Sequence, residues 1–254
     1  MPTLQLDTPL MREKIALAKK YGDKVKTISL AYNAEMERIW KRHLSLLEKA
    51  ISDREYVSAI QDSLIDSIKE LLSRAISGVV ALAIEREEVE DEGYASRIPL
   101  IVEQCDVNYY IPTLDKYKSI LSEEIDYLVD KGYTSDMALF LENPMGYSSD
   151  KKNGLLDLKS SITEVDKGVS YSFSENMKKL GISVAALAYA NAQFFIWNQN
   201  GNIAGYFGVR NSNFPCPLCD NYAHRFIPLS QGIIYPLHNR CVCSIVPVYQ
   251  NELS

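Results

Sequence analysis

Four of the five cysteines and one of the three histidines lie in two short segments near the end of the chain. The first segment is Cys216-Pro-Leu-Cys219, and the second is His238-Asn-Arg-Cys-Val-Cys243. Thiolate and imidazole groups at these spacings suit a tetrahedral zinc ion, because each short loop closes a small chelate ring. The two segments therefore predict a structural Zn2+ site with the candidate ligands Cys216, Cys219, His238, Cys241 and Cys243.

Five candidates compete for the four positions of a tetrahedral site. We favour Cys216, Cys219, His238 and one of Cys241 or Cys243, with His224 as a weaker reserve. Two alternatives stay open, namely a pair of disulfides, which needs an oxidising compartment, and free buried thiols. The start of the chain does not resemble an export signal, so a metal held by reduced thiols is favoured. Cys105 stands apart and is predicted to be a small buried hydrophobe.

Composition limits the function classes. The chain has 254 residues, of which 46% are hydrophobic, enough to bury the core of one large or two modest domains. Its net charge of −6 disfavours a protein that coats nucleic acid, because such binding depends on Lys and Arg neutralising phosphates. Residues 151–254 carry a small basic surplus, whereas residues 1–150 are acidic. No uninterrupted apolar stretch reaches the roughly 18 residues of a membrane span, so none is predicted.

Residues 8–90 are predicted to be helical almost throughout, because strong helix formers carry apolar residues at three- and four-residue spacing. A break is predicted at Gly22, since glycine commonly ends a helix, and a change of helix at Ser52-Asp53, which offers an N-cap. Long antiparallel helical hairpins should result. His43 is predicted to be a packed helix residue, and the acidic run over residues 85–92 is predicted to be a solvated helix end.

The polar tract Tyr147–Gly154 is typical of a boundary. It divides the chain into a helical region over residues 1–150 and a module over residues 151–254. The module should begin with helices over Leu155–Val165 and Ser174–Phe195. Short strands are then predicted at residues 203–210, 233–235 and 242–248. The predicted fold class is α+β, mainly helical, with long N-terminal helical hairpins and a small zinc-stapled C-terminal β-sheet module.

These residues resemble a known family. An alanine- and asparagine-containing helix, a strand leading to Cys-x-x-Cys, and a closing His-x-x-Cys-x-Cys before Pro-Val are similar to the carboxy-terminal domain of phage head morphogenesis proteins. This is the family of the phage Mu F-type minor head (minor capsid) protein, and the resemblance covers about residues 181–248. Cys216 and Cys219 match the first cysteine pair of the family, and His238, Cys241 and Cys243 match the closing signature.

The sequence departs from the family pattern at three places. Asn239 replaces the usual proline, Val242 replaces the usual arginine, and Ala186-Leu-Ala188 stands where the family often has Arg-Thr-Glu. The resemblance implies a few-copy structural component of the virion, made in the host cytoplasm and associated with the portal or capsid interior. It further implies a part in head assembly and in DNA packaging or delivery, without a membrane or a small-molecule substrate. A contact with packaged DNA is left open.

Two other functions were weighed against this one. A zinc deaminase pairs Pro-Cys-x-x-Cys with an upstream His-x-Glu or Cys-x-Glu, which supplies a third ligand and a proton-shuttling glutamate. The chain has neither, and it offers no recognisable constellation for a nuclease toxin, so a zinc-dependent nucleic-acid-modifying enzyme is disfavoured. The second alternative is a zinc-stapled nucleic-acid-binding module in which Arg210, Arg225 and Arg240 contact phosphates. We therefore expect a structural protein and not an enzyme.

Overall fold

The computed structural model describes residues 7–50, 54–90, 105–111, 173–211, 215–237, 241 and 243–253. Its helices are α1 (Pro9–Ala50), α2 (Arg54–Glu90), α3 (Val107–Tyr110), α4 (Phe173–Gln199) and α5 (Pro217–Tyr222). Its strands are β1 (Ile203–Val209), β2 (Ile227–Pro228) and β3 (Ser244–Tyr249). They form one antiparallel sheet in the order β2-β1-β3. The described part is thus mainly helical with a small sheet near its end, which confirms the predicted α+β class.

The change from α1 to α2 occurs where the sequence predicts it. α1 opens with Pro9, which suits the first turn of a helix, behind a Thr8 hydroxyl that accepts a backbone hydrogen bond at 3.2 Å. α1 ends at Ala50 and α2 begins at Arg54, which confirms the predicted change of helix. Ser52-Asp53, the predicted cap, lies outside the described residues.

The predicted break at Gly22 is wrong, because α1 continues through this residue. A Cβ atom at position 22 would overlap the side chains of Asn211 and Ser244, which are hydrogen-bonded to each other at the start of β3. Glycine therefore serves a close approach between helix and sheet. Its cost in helix propensity, about 1 kcal/mol relative to alanine, is offset by the packing on either side of it.

The chain divides into two compact units. The sheet unit comprises Met1–Ser29, Ile76–Cys105 and Ile182–Ser254, and the helical unit comprises Leu30–Ala75 and Asp106–Gly181. Each of α1, α2 and α4 contributes a segment to both units. The predicted boundary between residues 1–150 and 151–254 lies outside the described residues, so it stays a prediction.

In the helical unit, α1 packs closely on the first turns of α4. The Tyr32 hydroxyl donates to the Met177 carbonyl oxygen at 3.1 Å, and a Cβ atom on Gly181 would overlap the Tyr32 ring. His43 is buried, with its Nδ1 atom 2.8 Å from the Ile39 carbonyl oxygen. This position confirms that His43 is a packed helix residue.

In the sheet unit, α1 and α2 run antiparallel, as expected of a hairpin. The Tyr21 hydroxyl of α1 donates to Glu85 of α2 at 2.9 Å, whereas Ile28, further along α1, faces Gly78, which precedes Glu85 in α2. Residue numbers therefore increase along α1 where those of the facing residues of α2 decrease, as they do in an antiparallel pair.

The sheet is buried on both faces. β1 pairs Phe207 with Val246 of β3, and both pack on Met11 and Ala18 of α1. Tyr206, on the opposite face of β1, belongs to a second core with Trp197, Cys219, Cys241, Ile227, Tyr235 and Ile245 among others. Because successive strand side chains point to opposite faces, one short central strand supplies both cores.

The predicted strands are found in two of three places. A strand over residues 203–210 is confirmed as β1, and one over residues 242–248 is found as β3, beginning at Ser244. The strand predicted over residues 233–235 is wrong. There the Ile234 N–H donates to the Tyr206 hydroxyl at 3.0 Å, and that hydroxyl donates to the Gly232 carbonyl oxygen at 2.8 Å. The Tyr206 side chain thus forms hydrogen bonds with backbone groups that a neighbouring strand would otherwise have bound.

An ion pair between Lys14 and Glu252 links the last described residues to α1. Lys14 Nζ donates to both carboxylate oxygens of Glu252, at 3.0 and 2.8 Å, and lies 4.5 Å from the centre of the Tyr249 ring. Glu252 also accepts the Tyr249 N–H at 2.8 Å. The Lys14 side chain is 8% exposed and that of Glu252 13%, so loss of either partner would leave a mostly buried charge.

One described helix segment, Met177–Gln199, is long and apolar enough by composition to cross a membrane. Within it, 67% of the most apolar window is buried inside the protein, as in a core helix.

We expect Gly22→Ala to lower the free energy of unfolding by about 1–2 kcal/mol, because the new methyl group overpacks the contact with Asn211 and Ser244. Gly78→Ala is the matched control. Its Cβ would lie 3.2 Å from the end of the flexible Ile28 side chain, so stability should stay unchanged or rise by up to about 1 kcal/mol. Urea denaturation followed by circular dichroism measures both, and a Gly22→Ala protein at least as stable as the wild type would contradict the packing argument.

Candidate metal centre

The two cysteine-bearing segments meet at the end of β1. The His224 N–H, just after α5, donates to the Gly208 carbonyl oxygen at 2.8 Å, which fixes α5 beside β1. Ser244 at the start of β3 pairs with Val209 at the end of β1, since antiparallel strands place these ends together. Main-chain hydrogen bonds thus bring both segments to one end of the sheet, where β1 ends and β3 begins.

Close packing stabilises this end of the sheet. The Tyr235 hydroxyl donates to the Tyr222 carbonyl oxygen at 3.2 Å, and a Cβ atom on Gly208 would overlap that hydroxyl. Tyr235 is 3% exposed and belongs to the same core as Cys219 and Cys241. The cysteines therefore sit against a packed core and not on a mobile tip.

The first cysteine pair forms a tight turn. Cys216 is extended and precedes α5, and its Sγ atom accepts the Cys219 N–H at 3.4 Å. Pro217 occupies the first turn of α5, where its fixed φ favours the helical start. A sulfur atom that accepts a backbone N–H is stabilised as a thiolate, the form that binds metals.

The second pair completes a cluster of three sulfur atoms. The Sγ atoms of Cys219, Cys241 and Cys243 all lie within 4.8 Å of one another. The Cys219 and Cys241 sulfur atoms are 3.8 Å apart, and both residues are buried, whereas Cys243 is half-buried. This cluster could hold a metal ion.

The spacing of the sulfur atoms suits a metal ion. A tetrahedral Zn2+ with bonds of about 2.3 Å to sulfur places neighbouring sulfur atoms about 3.8 Å apart. The separation of 3.8 Å between Cys219 and Cys241 matches this edge and is too long for a disulfide bond, and all five cysteines are free in the structure. Soft thiolate donors select zinc over the hard cations calcium and magnesium.

The thiols keep their protons in the absence of a cation. Burial, the adjoining Cys216 thiol and the nearby Cys241 together raise the pKa of Cys219 to about 12. The hydrogen bond with Cys241, and then burial, raise the pKa of Cys243 well above its ordinary range. Each thiol must therefore release its proton to bind a cation as a thiolate, so metal affinity falls as the pH falls.

The structure brings together three of the five predicted ligands and places a fourth beside them. Cys219, Cys241 and Cys243 form the cluster, so both closing cysteines reach it, and Cys216 adjoins Cys219. His238 lies outside the described residues. The reserve candidate His224 has a left-handed backbone with φ of 62°, and its ring lies 6.0 Å from that of Phe207.

The arginines considered for nucleic-acid binding have local partners. Arg210 forms an ion pair with Asp220, the residue after Cys219. The Arg225 guanidinium lies 5.7 Å from the centre of the Tyr222 ring. Arg240 lies outside the described residues. An arginine held by a carboxylate of its own chain contributes less to phosphate binding, because the carboxylate must first be displaced.

The acidic run over residues 85–92 was predicted to be solvated, and this is wrong for Arg86 and Glu87, whereas Glu85 is exposed. Arg86 is 0% and Glu87 is 3% exposed, and Glu87 accepts hydrogen bonds from Gln193 and Trp197 of α4. A signal for this was present, because the buried positions Val79, Val80 and Ala83 continue at helical spacing to Arg86 and Glu87. Charge alone outweighed that periodicity in the prediction.

The fold and the site together define a mainly helical α+β protein whose small C-terminal sheet carries a cysteine cluster suited to a metal ion. Comparison of the chain with protein-family models, with curated proteins and with solved structures found no match.

We expect Cys219→Ser to remove most of the bound metal, because Cys219 lies within reach of every other sulfur atom of the site. Cys105→Ser is the matched control, since Cys105 lies outside the cluster and is half-buried. Metal content measured by mass spectrometry on protein purified with zinc should fall from about one equivalent to near zero only in the first variant. Equal zinc content in both variants would contradict the site.

Proposed function

We propose that this protein is a structural minor head protein of a tailed phage, with a C-terminal module held together by one Zn2+ ion. The observation that carries the proposal is the convergence of Cys219, Cys241 and Cys243 at one edge of a small sheet. The sequence order of helix, strand, Cys-x-x-Cys and closing His-x-x-Cys-x-Cys, which resembles phage head morphogenesis proteins, supports the assignment.

The donor set supports a structural role for the metal. Cys219 and Cys241 are 4% and 2% exposed, and three thiolates with a fourth protein ligand fill a tetrahedral sphere. Catalytic zinc sites keep a position for water beside a proton-shuttling carboxylate. The carboxylate next in sequence to the cluster, Asp220, is paired with Arg210.

The bound zinc would supply folding free energy to a module whose sheet is short. β2 has two residues and β3 has six, so hydrogen bonds within the sheet are few. A metal held by α5 and by the segment before β3 cross-links both neighbours of β1. Cys216, Cys219, Cys241 and Cys243 are the residues that would hold it.

A rigid module of this kind suits a protein that acts by docking. The proposed partners are portal and major capsid subunits, which the long helices α1 and α2 would contact, and the proposed place is the head interior or portal vertex. In that role the chain positions other components during assembly and DNA packaging or delivery.

We expect chelation of the metal to unfold the C-terminal module while most helicity remains. Limited proteolysis after treatment with a chelator should cut within residues 200–253, and far-ultraviolet circular dichroism should fall only slightly. Readdition of zinc should restore protection, whereas magnesium should not, because thiolates bind it poorly. Unchanged proteolysis after complete metal removal would contradict a structural role.

The identity of the fourth ligand can be measured separately. Co2+ substituted for zinc shows absorption bands that distinguish four sulfur donors from three sulfur donors and one nitrogen. Since Cys216 adjoins Cys219, we expect Cys216→Ser to change these bands and His238→Ala to leave them unchanged. The reverse result would assign the fourth position to His238.

The head role is tested by assembly. Coexpression of this chain with the portal and major capsid proteins of the same phage should yield heads that retain it through density-gradient sedimentation. Cys219→Ser should reduce retention, and Cys105→Ser should not. Failure of the wild-type chain to sediment with either component would contradict the head assignment, while leaving the metal site intact.

A further inference from the structure

A second buried polar cluster lies in the sheet unit, away from the cysteines in sequence. Arg86 and Glu87 of α2 are 0% and 3% exposed, and the Glu90 side chain is 5% exposed. Gln193 and Trp197 of α4 are fully buried and face Glu87. We call these five residues the Glu87 cluster.

Glu87 joins two helices. Its Oε1 atom accepts from Gln193 Nε2 at 3.0 Å, and its Oε2 atom accepts from the Trp197 indole N–H at 2.7 Å. Gln193 and Trp197 are four residues apart, so they lie on one face of α4 and hold the same carboxyl group together. Trp197 also belongs to the core that contains Cys219 and Cys241.

The charges in the cluster do not balance when both carboxyl groups are ionised. One guanidinium faces two carboxylates, which leaves one net negative charge in a region without solvent. The ion pairs are long, at 3.4 Å from Arg86 Nη2 to Glu90 Oε1 and 4.0 Å from Arg86 Nε to Glu87 Oε1. One bound proton makes the cluster neutral, and burial favours the neutral state.

Incomplete hydrogen bonding in the ionised cluster also favours the binding of one proton. Among the described residues, Arg86 Nε and Nη1, Glu90 Oε2 and Gln193 Oε1 are buried and have no hydrogen-bond partner. The ionised cluster thus lacks the full set of charge-assisted hydrogen bonds that would offset its desolvation.

Within the described part of the chain, two further titratable groups approach the cluster, and both are neutral at physiological pH. Tyr189 of α4 approaches Arg86, and Tyr21 of α1 lies beyond it. Burial is the main cause that raises the pKa of each of these tyrosines to about 12, so neither supplies a charge.

We propose that the Glu87 cluster is a proton-binding switch: with a proton on Glu87 the contact between α2 and α4 is tight, and loss of that proton loosens it. The proton is the ligand, and the released state carries an uncompensated buried carboxylate. Because Trp197 reaches the core around the cysteines, the loosening extends to the base of the C-terminal module. The proposal does not depend on the metal or on the head assignment.

The electrostatic surroundings agree with this geometry. Burial, and then the nearby Glu90, raise the pKa of Glu87 to about 7, although Arg86 and the hydrogen bonds from Trp197 and Gln193 favour the ionised form. The unfolded chain binds this proton only below about pH 4.3, the ordinary range of a glutamate. The stabilisation is therefore complete below that pH and is lost as the pH rises through about 7.

The test compares melting temperatures of the full chain between about pH 5 and pH 8.5. Glu87→Gln keeps an acceptor for Trp197 and removes the charge, so it should match the wild type at the acidic end. At the alkaline end it should melt about 5 °C higher. Glu70→Gln, at a position with a 72% exposed side chain on the same helix, is the matched control and should follow the wild type throughout. Metal binding also depends on pH, but all three proteins share that dependence.

Carbon NMR of the glutamate carboxyl groups in the wild type gives a second readout that requires no variant. One resonance should titrate near pH 7, in agreement with the raised pKa of Glu87. Parallel melting curves for wild type and Glu87→Gln, or glutamates that all titrate below about pH 5.5, would overturn the proposal. If Glu87→Gln does not fold, the NMR titration alone decides.

Discussion

The structure depends on β1 being buried on both faces. Phe207 and Val209 pack against α1, and Tyr206 packs against the core that contains the cysteines. A strand in this position requires that helix and loops approach its backbone closely. Gly22 permits the approach of α1, and Gly208 permits that of Tyr235. The cysteine cluster lies at the end of β1 because both cysteine-bearing segments are connected to this strand by main-chain hydrogen bonds.

Two different polar devices stabilise the core around α4. The cysteine cluster ties loops together and gains its energy only when a cation replaces the thiol protons. The Glu87 cluster joins α2 to α4 by hydrogen bonds, and in our proposal it is most stable when a proton is retained. Trp197 contributes to both, through its indole N–H on one side and its ring on the other. With these proposed ligands, the metal site is expected to gain stability as pH rises, and the Glu87 cluster is expected to lose it.

Much of the fold could be predicted from local patterns. The helix change near residue 52 and the strands near residues 203 and 244 follow from periodicity and capping, which are local properties. The errors arose where a distant partner decides. Gly22 was predicted to end a helix, and it is instead a contact point for Asn211 and Ser244. The segment at residue 233 was predicted to pair as a strand, and Tyr206 binds its backbone instead.

The sequence by itself determined the residue types of the metal site, because the chelating pairs are encoded by short spacings. It favoured one of Cys241 and Cys243 as a ligand and left open which of the two takes part. Only the tertiary structure decided that both reach Cys219, since this depends on the pairing of β3 with β1. Only the tertiary structure buried Arg86 and Glu87, because the free energy of a charged side chain depends on which partners surround it and not on its neighbours in sequence.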